Sequence, residues 1–419
     1  MEHYESYKSS GIDWVGEIPS HWETVKPKYK LNRVTRDPEE GDEVITCFRD
    51  GVVTLRKNRR EDGFTNSIKE HGYQQIRPGD LVVHEMDGFA GAIGISDSKG
   101  KSTPVYTVIE PDDETDLGYI SYLLREMSKT GKIESLARSI RERTTDFRWN
   151  MWSVTPFPFP LLQEQQFICR YLDKKTEHID SLIEKIQKKI ELLKEQRTSL
   201  INQCVTKGLN PDVEMKDSGV EWIGDIPIHY TLQKTKYLFR EKKSKSNPEL
   251  SPGSISFGQV VYKDDESILE STKESYQEVL EGEFLINPLN LNYDLKSLRI
   301  GKSKINVVVS QGYIVLQILE GQDPDYFEYL LRKFDVVHMK SLGQGVRQTI
   351  SFNNIKNEEL VIPPIEEQNE IVCELNFRTT QIDRWCKVEE KRISLLREYR
   401  QSLISSVVTG KVRVTEDMI

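Results

Sequence analysis

The sequence predicts a mixed α/β protein with two tandem globular domains, which are separated by two long antiparallel coiled-coil helices and related by a pseudo-twofold internal repeat. Three observations support this fold class: a length of 419 residues, a motif that occurs twice, and two stretches with heptad spacing. A chain of this length accommodates two or three domains with cores of ordinary size. The expected domains are globular at 1–158, helical at 159–213, globular at 214–361 and helical at 362–419.

The repeated motif lies near the start of each half of the chain. The stretch SGIDWVGEIPSHW at 10–22 recurs as SGVEWIGDIPIHY at 218–230, with one non-conservative difference, Ser20 to Ile228. Later landmarks also recur in order: Glu-Gln at 164–165 and 367–368, Ile-Asp at 179–180 and 382–383, Val-Thr at 205–206 and 408–409. Because internal repetition marks repeated structural units, both halves are expected to share one fold with different surfaces.

Each half ends in a stretch that is predicted to form a long helix. From 164 to about 204 there is no Gly or Pro, and apolar residues recur at steps of four and three, as in a coiled-coil seam. The second half repeats this spacing, with Glu389 as a polar exception. The predicted seam consists of Ile179, Ile183, Ile186, Ile190, Leu193, Leu200, Ile382, Ile393, Leu396 and Leu403. Long exposed apolar stripes are unfavourable, so the two helices are expected to pair antiparallel as a rod of roughly 60 Å.

Arg197 and Arg400 occupy equivalent positions in the two predicted seams. They either fix the register of the helix pair or extend their charged ends from its edge into water. Both interpretations remain open from the sequence.

The globular stretches contain short β-rich runs separated by Gly and Asp turns, such as 80–83, 104–109 and 304–309. A short helix is expected near 117–128. Together these elements predict a mixed α/β domain in each half.

Composition favours a soluble, cytoplasmic protein. The mean hydropathy is −0.55, and no apolar run approaches the roughly 20 residues that span a bilayer. Five cysteines without a C-x-x-C pair favour neither a disulfide framework nor a zinc site. The net charge of −9 argues against non-specific coating of DNA, because phosphate neutralisation requires clustered Lys and Arg.

Catalytic motifs are incomplete in this sequence. The stretch 94–102 resembles a phosphate-binding loop but has five residues between its glycines, where four are required. The stretch 211–216 imitates a nuclease motif within a linker, and 287–290 lacks half of an amino-methyltransferase motif. We therefore expect no catalytic, cofactor-binding or metal-binding residues in this chain.

The repeated motifs resemble those of the specificity (S) subunits of type I restriction–modification systems, the HsdS family. The resemblance rests on the paired openings, the P-[LP]-x-x-E-Q leads into the helices and the Val-Thr tails at 205–208 and 408–411, and it extends over essentially the whole chain. It implies that each globular domain is a target-recognition domain for one half of a bipartite site in double-stranded DNA.

The same resemblance implies partners and a role in phage defence. The helices would form the spacer and the docking surface for two methyltransferase (M) subunits, which motor-nuclease (R) subunits then join. S-adenosylmethionine, ATP and Mg²⁺ are then expected in the partner subunits and not in this chain, and no membrane is involved.

The candidate DNA contacts are basic and amide side chains in the globular stretches. DNA is attracted by positive charge that is clustered locally on a protein surface, so the net negative charge of the chain does not exclude them. They are Arg56, Lys57, Arg59, Arg60, Arg138, Arg141, Arg143, Arg148, Lys242, Lys243, Lys245, Arg299, Lys302, Lys304, Gln344, Arg347 and Gln348. Gln suits adenine edges, and Arg suits guanine edges or phosphates. For any single cluster a solvated charged face is the commoner explanation, and the loop at 343–349 is equally well an ordinary turn.

Two alternatives accompany this interpretation. The repeated aromatic residues Trp14, Trp22, Trp222 and Tyr230 could stack on bases, but identical residues would not read different half-sites, so core packing is favoured. A second hypothesis for the whole chain is a coiled-coil scaffold that binds proteins without DNA specificity.

Overall fold

The computed structural model describes residues 2–59, 71–111, 114–136, 147–264, 268, 270–289, 298–342 and 350–419. The chain divides into two compact units. The first unit comprises Met1–Ile186 and Lys391–Ile419, and the second comprises Gln187–Glu390. Because these boundaries fall within two long helices, each unit contains part of both helices. The domain boundaries expected from the sequence divide the chain differently and stay a prediction.

The first unit has a four-stranded antiparallel sheet as its centre, in the order β4-β11-β8-β9. Its strands are β1 (Tyr7–Ile12), β2 (Gly16–Pro19), β3 (Glu23–Val25), β4 (Leu31–Val34), β5 (Ile45–Cys47), β6 (Val53–Leu55), β7 (Gln74–Ile76), β8 (Leu81–His84), β9 (Ile93–Ile95), β10 (Gly100–Ser102), β11 (Tyr106–Pro111) and β12 (Phe157–Phe159). Its helices are α1 (Leu117–Lys129), α2 (Lys132–Leu136), α3 (Trp149–Trp152) and the beginning of α4 (Leu162–Lys207). Two-stranded ladders β1-β2, β3-β12, β5-β6 and β7-β10 surround the sheet.

The second unit repeats this sheet in the order β16-β23-β20-β21, which also is antiparallel. Its strands are β13 (Met215–Asp217), β14 (Asp225–Pro227), β15 (Thr231–Lys234), β16 (Phe239–Glu241), β17 (Gly253–Ser256), β18 (Gln259–Tyr262), β19 (Gln277–Val279), β20 (Phe284–Ile286), β21 (Ile300–Lys302), β22 (Val307–Val309), β23 (Ile314–Ile318) and β24 (Glu359–Ile362). Its helices are α5 (Glu270–Lys273), α6 (Pro324–Val337), α7 (Phe352–Ile355) and the beginning of α8 (Ile365–Val408). Equal strand orders in both units confirm that the two halves share one fold.

The middle strands of both sheets are buried on both faces. In β20, Phe284 and Ile286 belong to one core cluster, whereas Leu285 between them belongs to another. Successive side chains of a strand point to opposite faces, so the strand separates two cores. In β8, Leu81, Val82 and Val83 are fully buried in the same way.

One helix in each unit begins at a capping aspartate and packs near this sheet. The Asp116 side chain accepts hydrogen bonds from the backbone N–H groups of Gly118 and Tyr119 at the start of α1. Asp323 does the same at the start of α6, where Pro324 occupies the first helical position. These N-caps satisfy donors that the helix itself leaves unpaired, which fixes where each helix begins.

The long helices α4 and α8 pack antiparallel. In the first unit Asp180 of α4 pairs with Arg400 of α8 at 2.9 Å. In the second unit Arg197 of α4 pairs with Asp383 of α8 at 3.1 Å. Higher numbers on α4 thus meet lower numbers on α8, which is the predicted orientation.

Seam residues of both helices are withdrawn from solvent. The fully or nearly buried ones are Ile179, Ile183, Ile186, Ile190, Leu193, Ile382, Ile393 and Leu403. Leu200 and Leu396 are half-buried. The polar exception, Glu389, lies 2.5 Å from the ammonium of Lys189. A seam position thus accommodates a carboxylate because the partner helix supplies a cation.

None of the helices in the described ranges is both long and apolar enough to cross a membrane.

Candidate nucleic-acid interface

In the first unit, the repeated residues meet where the globular part joins the long helices. The Glu164 carboxylate, in the first turn of α4, accepts a hydrogen bond from Trp22 Nε1 at 3.0 Å. Its second oxygen lies 2.9 Å from His21 Nε2. The Tyr4 hydroxyl donates to the same oxygen as Trp22, at 2.5 Å. This carboxylate therefore fastens the opening motif to the helix.

The second unit builds the same joint from the second copy of the motif. Glu367 of α8 lies 2.9 Å from His229 Nε2 and accepts a hydrogen bond from the Tyr230 hydroxyl at 2.5 Å. Gly208 has a φ of +73°, and a Cβ there would lie 2.6 Å from the Tyr230 hydroxyl. Glycine is required at this helix end because of both the left-handed backbone and the close approach.

The glutamine that follows each of these glutamates connects the long helix to the short one. Gln165 accepts a hydrogen bond from Asp116 N–H at 2.8 Å and donates to the Pro160 carbonyl at 2.8 Å. Gln368 makes the same two contacts in the second unit, with Asp323 N–H and a proline carbonyl, both at 3.0 Å. Both amides are almost fully buried, so these bonds hold the two helix starts in a fixed relation.

A buried tyrosine on each short helix reaches the repeated Val-Thr tail. The Tyr119 hydroxyl lies 3.2 Å from the Val408 carbonyl, and the Tyr326 hydroxyl lies 2.8 Å from the Val205 carbonyl. Burial raises the pKa of both tyrosines well above the usual value, so both hydroxyls remain protonated donors. In each unit, therefore, the Glu-Gln motif of one long helix and the Val-Thr tail of the other both contact the same short helix, and together they form one joint.

The repeated aromatic residues take part in these joints and cores. Trp22 and Tyr230 are fully buried, Trp222 is 7% exposed and Trp14 is half-buried. This burial supports the core-packing interpretation over base stacking.

The structure places four of the candidate DNA contacts of the first unit. Lys57 is exposed and pairs with Glu43 at 2.7 Å, and Arg59 pairs with Asp50 at 2.7 Å. The Arg59 guanidinium lowers the pKa of the Asp50 carboxyl through this hydrogen bond.

The other two basic candidates that are described in this unit differ in exposure. Arg56 is half-buried and donates to the Thr46 hydroxyl at 3.2 Å, whereas Arg148 is exposed where α3 begins. Arg60, Arg138, Arg141 and Arg143 lie outside the described residues.

In the second unit, three candidates are largely withdrawn from solvent and pair with acids. Lys242 lies between Glu278 at 3.4 Å and Glu283 at 2.9 Å, with an 11% exposed side chain. The Arg299 guanidinium pairs with Asp335 at 3.1 Å, and both side chains are buried.

Lys302, which is 12% exposed, pairs with Asp325 and approaches Glu328 at 4.0 Å. Lys242, Arg299 and Lys302 thus each pair with a carboxylate of their own unit, and their assignment as DNA contacts stays a prediction.

Three further basic candidates of the second unit are exposed. Lys243 and Lys304 are exposed, and Lys245 is exposed beside Glu278 at 3.5 Å. Gln344, Arg347 and Gln348 lie outside the described residues. The assignment of DNA contacts to the exposed lysines stays a prediction.

Sequence reasoning overlooked two aspartates that orient the long helices. Asp180 and Asp383 are the acids of the repeated Ile-Asp pairs, and each binds the seam arginine of the other helix. Their recurrence in both copies was the available signal. The symmetric pairing supports a register role for Arg197 and Arg400.

Among the residues with described positions, no group of three or more His, Cys, Asp or Glu side chains is arranged to hold a metal ion.

The chain is similar to known proteins in both sequence and fold. The profile of one protein family, described as Type I restriction modification DNA specificity domain, matches residues 238–383. The chain is 22% identical to the putative type I restriction enzyme MjaX specificity subunit of Methanocaldococcus jannaschii, over 98% of this chain and 97% of the relative. It is also 22% identical to the type I restriction enzyme EcoKI specificity subunit of Escherichia coli K12, over 95% of this chain and 90% of the relative.

Solved structures share the fold. The HsdS subunit from Thermoanaerobacter tengcongensis superposes with a TM-score of 0.53 at 13% identity, covering 94% of this chain and 98% of that one. A chain from the structure described as "Structural basis underlying complex assembly and conformational transition of the type I R-M system" gives a TM-score of 0.62 at 14% identity, covering 94% and 99%. The duplicated fold, the family profile over residues 238–383 and the full-length relatives agree, and the chain is similar to type I restriction–modification specificity subunits.

Proposed function

We propose that this chain is the DNA-specificity subunit of a type I restriction–modification complex and that each globular part reads one half of a bipartite target in double-stranded DNA. The observation that carries the proposal is the duplication itself. Both units hold the same four-stranded sheet against the same helix pair through equivalent Glu-Gln and Val-Thr joints. Two domains with the same fold but different surface residues are suited to a target with two different halves.

The chemistry of the complex is assigned to partner subunits. Two methyltransferase subunits dock on the helix pair, and motor-nuclease subunits join them. S-adenosylmethionine, ATP and Mg²⁺ are then bound by those partners, and this chain acts as a non-catalytic reader in the cytoplasm. The similarity to type I specificity subunits and the incomplete catalytic motifs support this division of labour.

A charge-neutralisation experiment tests the reading role against the scaffold alternative. The chain is purified with the methyltransferase encoded beside it, and its affinity for DNA is measured over a range of salt concentrations. The triple variant Lys243→Gln, Lys245→Gln and Lys304→Gln removes three exposed charges from the second globular part. The control neutralises Lys185, Lys188 and Lys194, which are exposed on α4.

The reading role predicts weaker DNA binding by the first variant alone. The slope of log K against log salt should fall by about 0.9 for each lysine that contacts a phosphate. Size-exclusion chromatography checks that both variants still form the complex. Equal DNA affinities for wild type and both variants would contradict the assignment of these lysines, and no DNA binding at all would favour the scaffold.

A further inference from the structure

A cavity of about 540 Å³ in the first unit is lined by several basic side chains. The cations come from two helices, with Arg125 and Lys129 on α1 and Arg397 and Arg400 on α8. Gly51, Gly94 and Gly118 contribute backbone to the wall. A cleft of this size is in the range that holds a small ligand, and its cations favour an anion.

The two acids that line the cavity already have hydrogen-bond partners. Asp173 accepts a hydrogen bond from the Tyr122 hydroxyl at 2.6 Å. Glu126 accepts one from Gln401 Nε2 at 2.6 Å, and burial raises the pKa of the Glu126 carboxyl. These acids therefore compensate the four cations only in part.

Within the described ranges the Arg125 guanidinium makes no hydrogen bond or ion pair, and Asp50 acts on it only through its charge. Gly51 leaves room for this guanidinium, because a Cβ on Gly51 would overlap it. Burial, together with the nearby charge of Arg400, lowers the pKa of Arg125. A guanidinium in this position is half-desolvated and next to a like charge, so an anion beside it is favourable.

In the second unit, the equivalent arginine pairs with a carboxylate of its own helix. The sequence Tyr-Leu-Leu-Arg occurs at 122–125 and again at 329–332. Arg332 donates to the Glu328 carboxylate, four residues earlier on α6, at 2.6 Å. Ser121 occupies the corresponding place before Arg125. In the described part of the first unit the arginine and the space are therefore present, but no carboxylate forms an ion pair with the arginine.

We propose that this cavity is a binding site for a small phosphate-bearing anion, with the Arg125 guanidinium as its central ligand and Lys129 and Arg397 beside it. The planar guanidinium donates two parallel hydrogen bonds to a phosphate, and the flanking cations match its multiple charge. Arg400 is committed to Asp180 and contributes through its charge. The site goes beyond the reading of DNA, since the cavity is far smaller than a turn of duplex.

Isothermal titration of the full-length chain with inorganic phosphate at low ionic strength tests this site. Wild type should bind phosphate saturably, and Arg125→Gln should weaken binding by about tenfold or more, because a charge-assisted hydrogen bond is lost. Ser121→Glu installs the carboxylate that the second unit carries and should abolish phosphate binding. Arg332→Gln is the matched control and should leave the affinity unchanged, because Glu328 already occupies that arginine.

A second titration with a nucleoside monophosphate distinguishes the source of the phosphate. Tighter binding than inorganic phosphate identifies a phosphate ester as the ligand, and equal binding identifies the free anion; either result supports the site if Ser121→Glu removes it. Circular dichroism checks that the variants retain the wild-type helix content.

The proposal is overturned if wild type shows no saturable binding of either probe, or if Ser121→Glu binds phosphate as wild type does. A result in which Arg125→Gln weakens only the binding of duplex DNA also overturns it and assigns Arg125 to the DNA interface.

Discussion

At the scale of single residues, the molecule depends on half-buried polar groups that bind across elements. Glu164 is contacted by His21 and Trp22, and Glu367 by His229 and Tyr230, all from the opening motif of the same unit. A carboxylate that accepts such bonds stabilises more than a neutral acceptor does, because the hydrogen bonds are charge-assisted. Burial, and then the bond to Glu367, raises the pKa of Tyr230 above its usual value, which keeps its hydroxyl a donor.

Replacing the carboxylate in the second joint tests its contribution. Glu367→Gln keeps the size of the side chain but removes its charge, and should lower the free energy of unfolding by about 1.5–3 kcal/mol. Glu366→Gln, on an exposed neighbour, should change it by less than about 0.5 kcal/mol. Urea unfolding measures both values. Equal losses in the two variants would contradict the role given to Glu367.

Glu126 gives the first unit a pH-dependent contribution to stability. Because burial raises the pKa of this carboxyl in the folded state, folding is favoured when it is protonated and costs free energy when it is charged. Glu126→Gln should therefore be more stable than wild type at neutral pH. This advantage should shrink as the pH falls through the raised pKa towards 4.5, the ordinary value of the carboxyl.

The check is the difference in unfolding free energy between Glu126→Gln and wild type, measured by urea titration at several pH values. A difference that stays constant or grows as the pH falls would contradict a raised pKa at Glu126.

At the scale of elements, the helix pair is the feature that heptad spacing predicts most directly. The expected helix from 164 to about 204 is observed as Leu162–Lys207, with most of the predicted seam buried. The periodicity does not reveal the charged partners at the edge of the seam. Those partners lie on the other helix, and only the packing register brings Asp180 to Arg400.

The short strands are predicted less well from the sequence than the helices are. The run at 304–309 favours a strand throughout, but β22 covers only Val307–Val309. The Ser303 hydroxyl donates to the Ile305 carbonyl at 2.6 Å, so a local turn occupies the backbone before the strand. Such side-chain bonds compete with strand pairing.

A seam substitution should be far more costly than one on the outer face of the same helix. Ile190, which is 7% exposed, lies in the seam of α4, whereas Leu192 is 52% exposed. Ile190→Ala should lower the free energy of unfolding by about 2–5 kcal/mol, because it leaves a cavity. Leu192→Ala should have an effect within about 0.5 kcal/mol. Thermal or urea unfolding compares them, and similar losses would contradict the paired seam.

At the scale of the whole molecule, duplication predicts the architecture better than it predicts the surface. Repeated motifs identify two equivalent units and the joints that hold them, because such residues recur in order. Basic clusters in the sequence predict the exposed cations less well than the repeated motifs predict the fold. Lys242 and Arg299 are adjacent to other cations in sequence but bind the distant acids Glu283 and Asp335. Sequence proximity therefore cannot separate a surface cation from a buried pair.

If the helix pair determines the distance between the two half-sites, shortening both helices should shorten the spacer. Deleting the facing segments 183–189 and 391–397 removes one heptad from each helix, or about 10 Å of rise. The preferred spacer should then decrease by about three base pairs, with both half-sites unchanged. Target mapping of the shortened protein checks this, and an unchanged spacer would contradict the proposed ruler.

The central claim is that the chain directs a methyltransferase to a two-part DNA sequence. The most direct test is to purify the chain with the methyltransferase encoded beside it, incubate the complex with a random-sequence DNA library and S-adenosylmethionine, and sequence the methylated adenines. Our account predicts one gapped motif with two different specific halves. Methylation without a gapped motif, or no association between the two proteins, would contradict it.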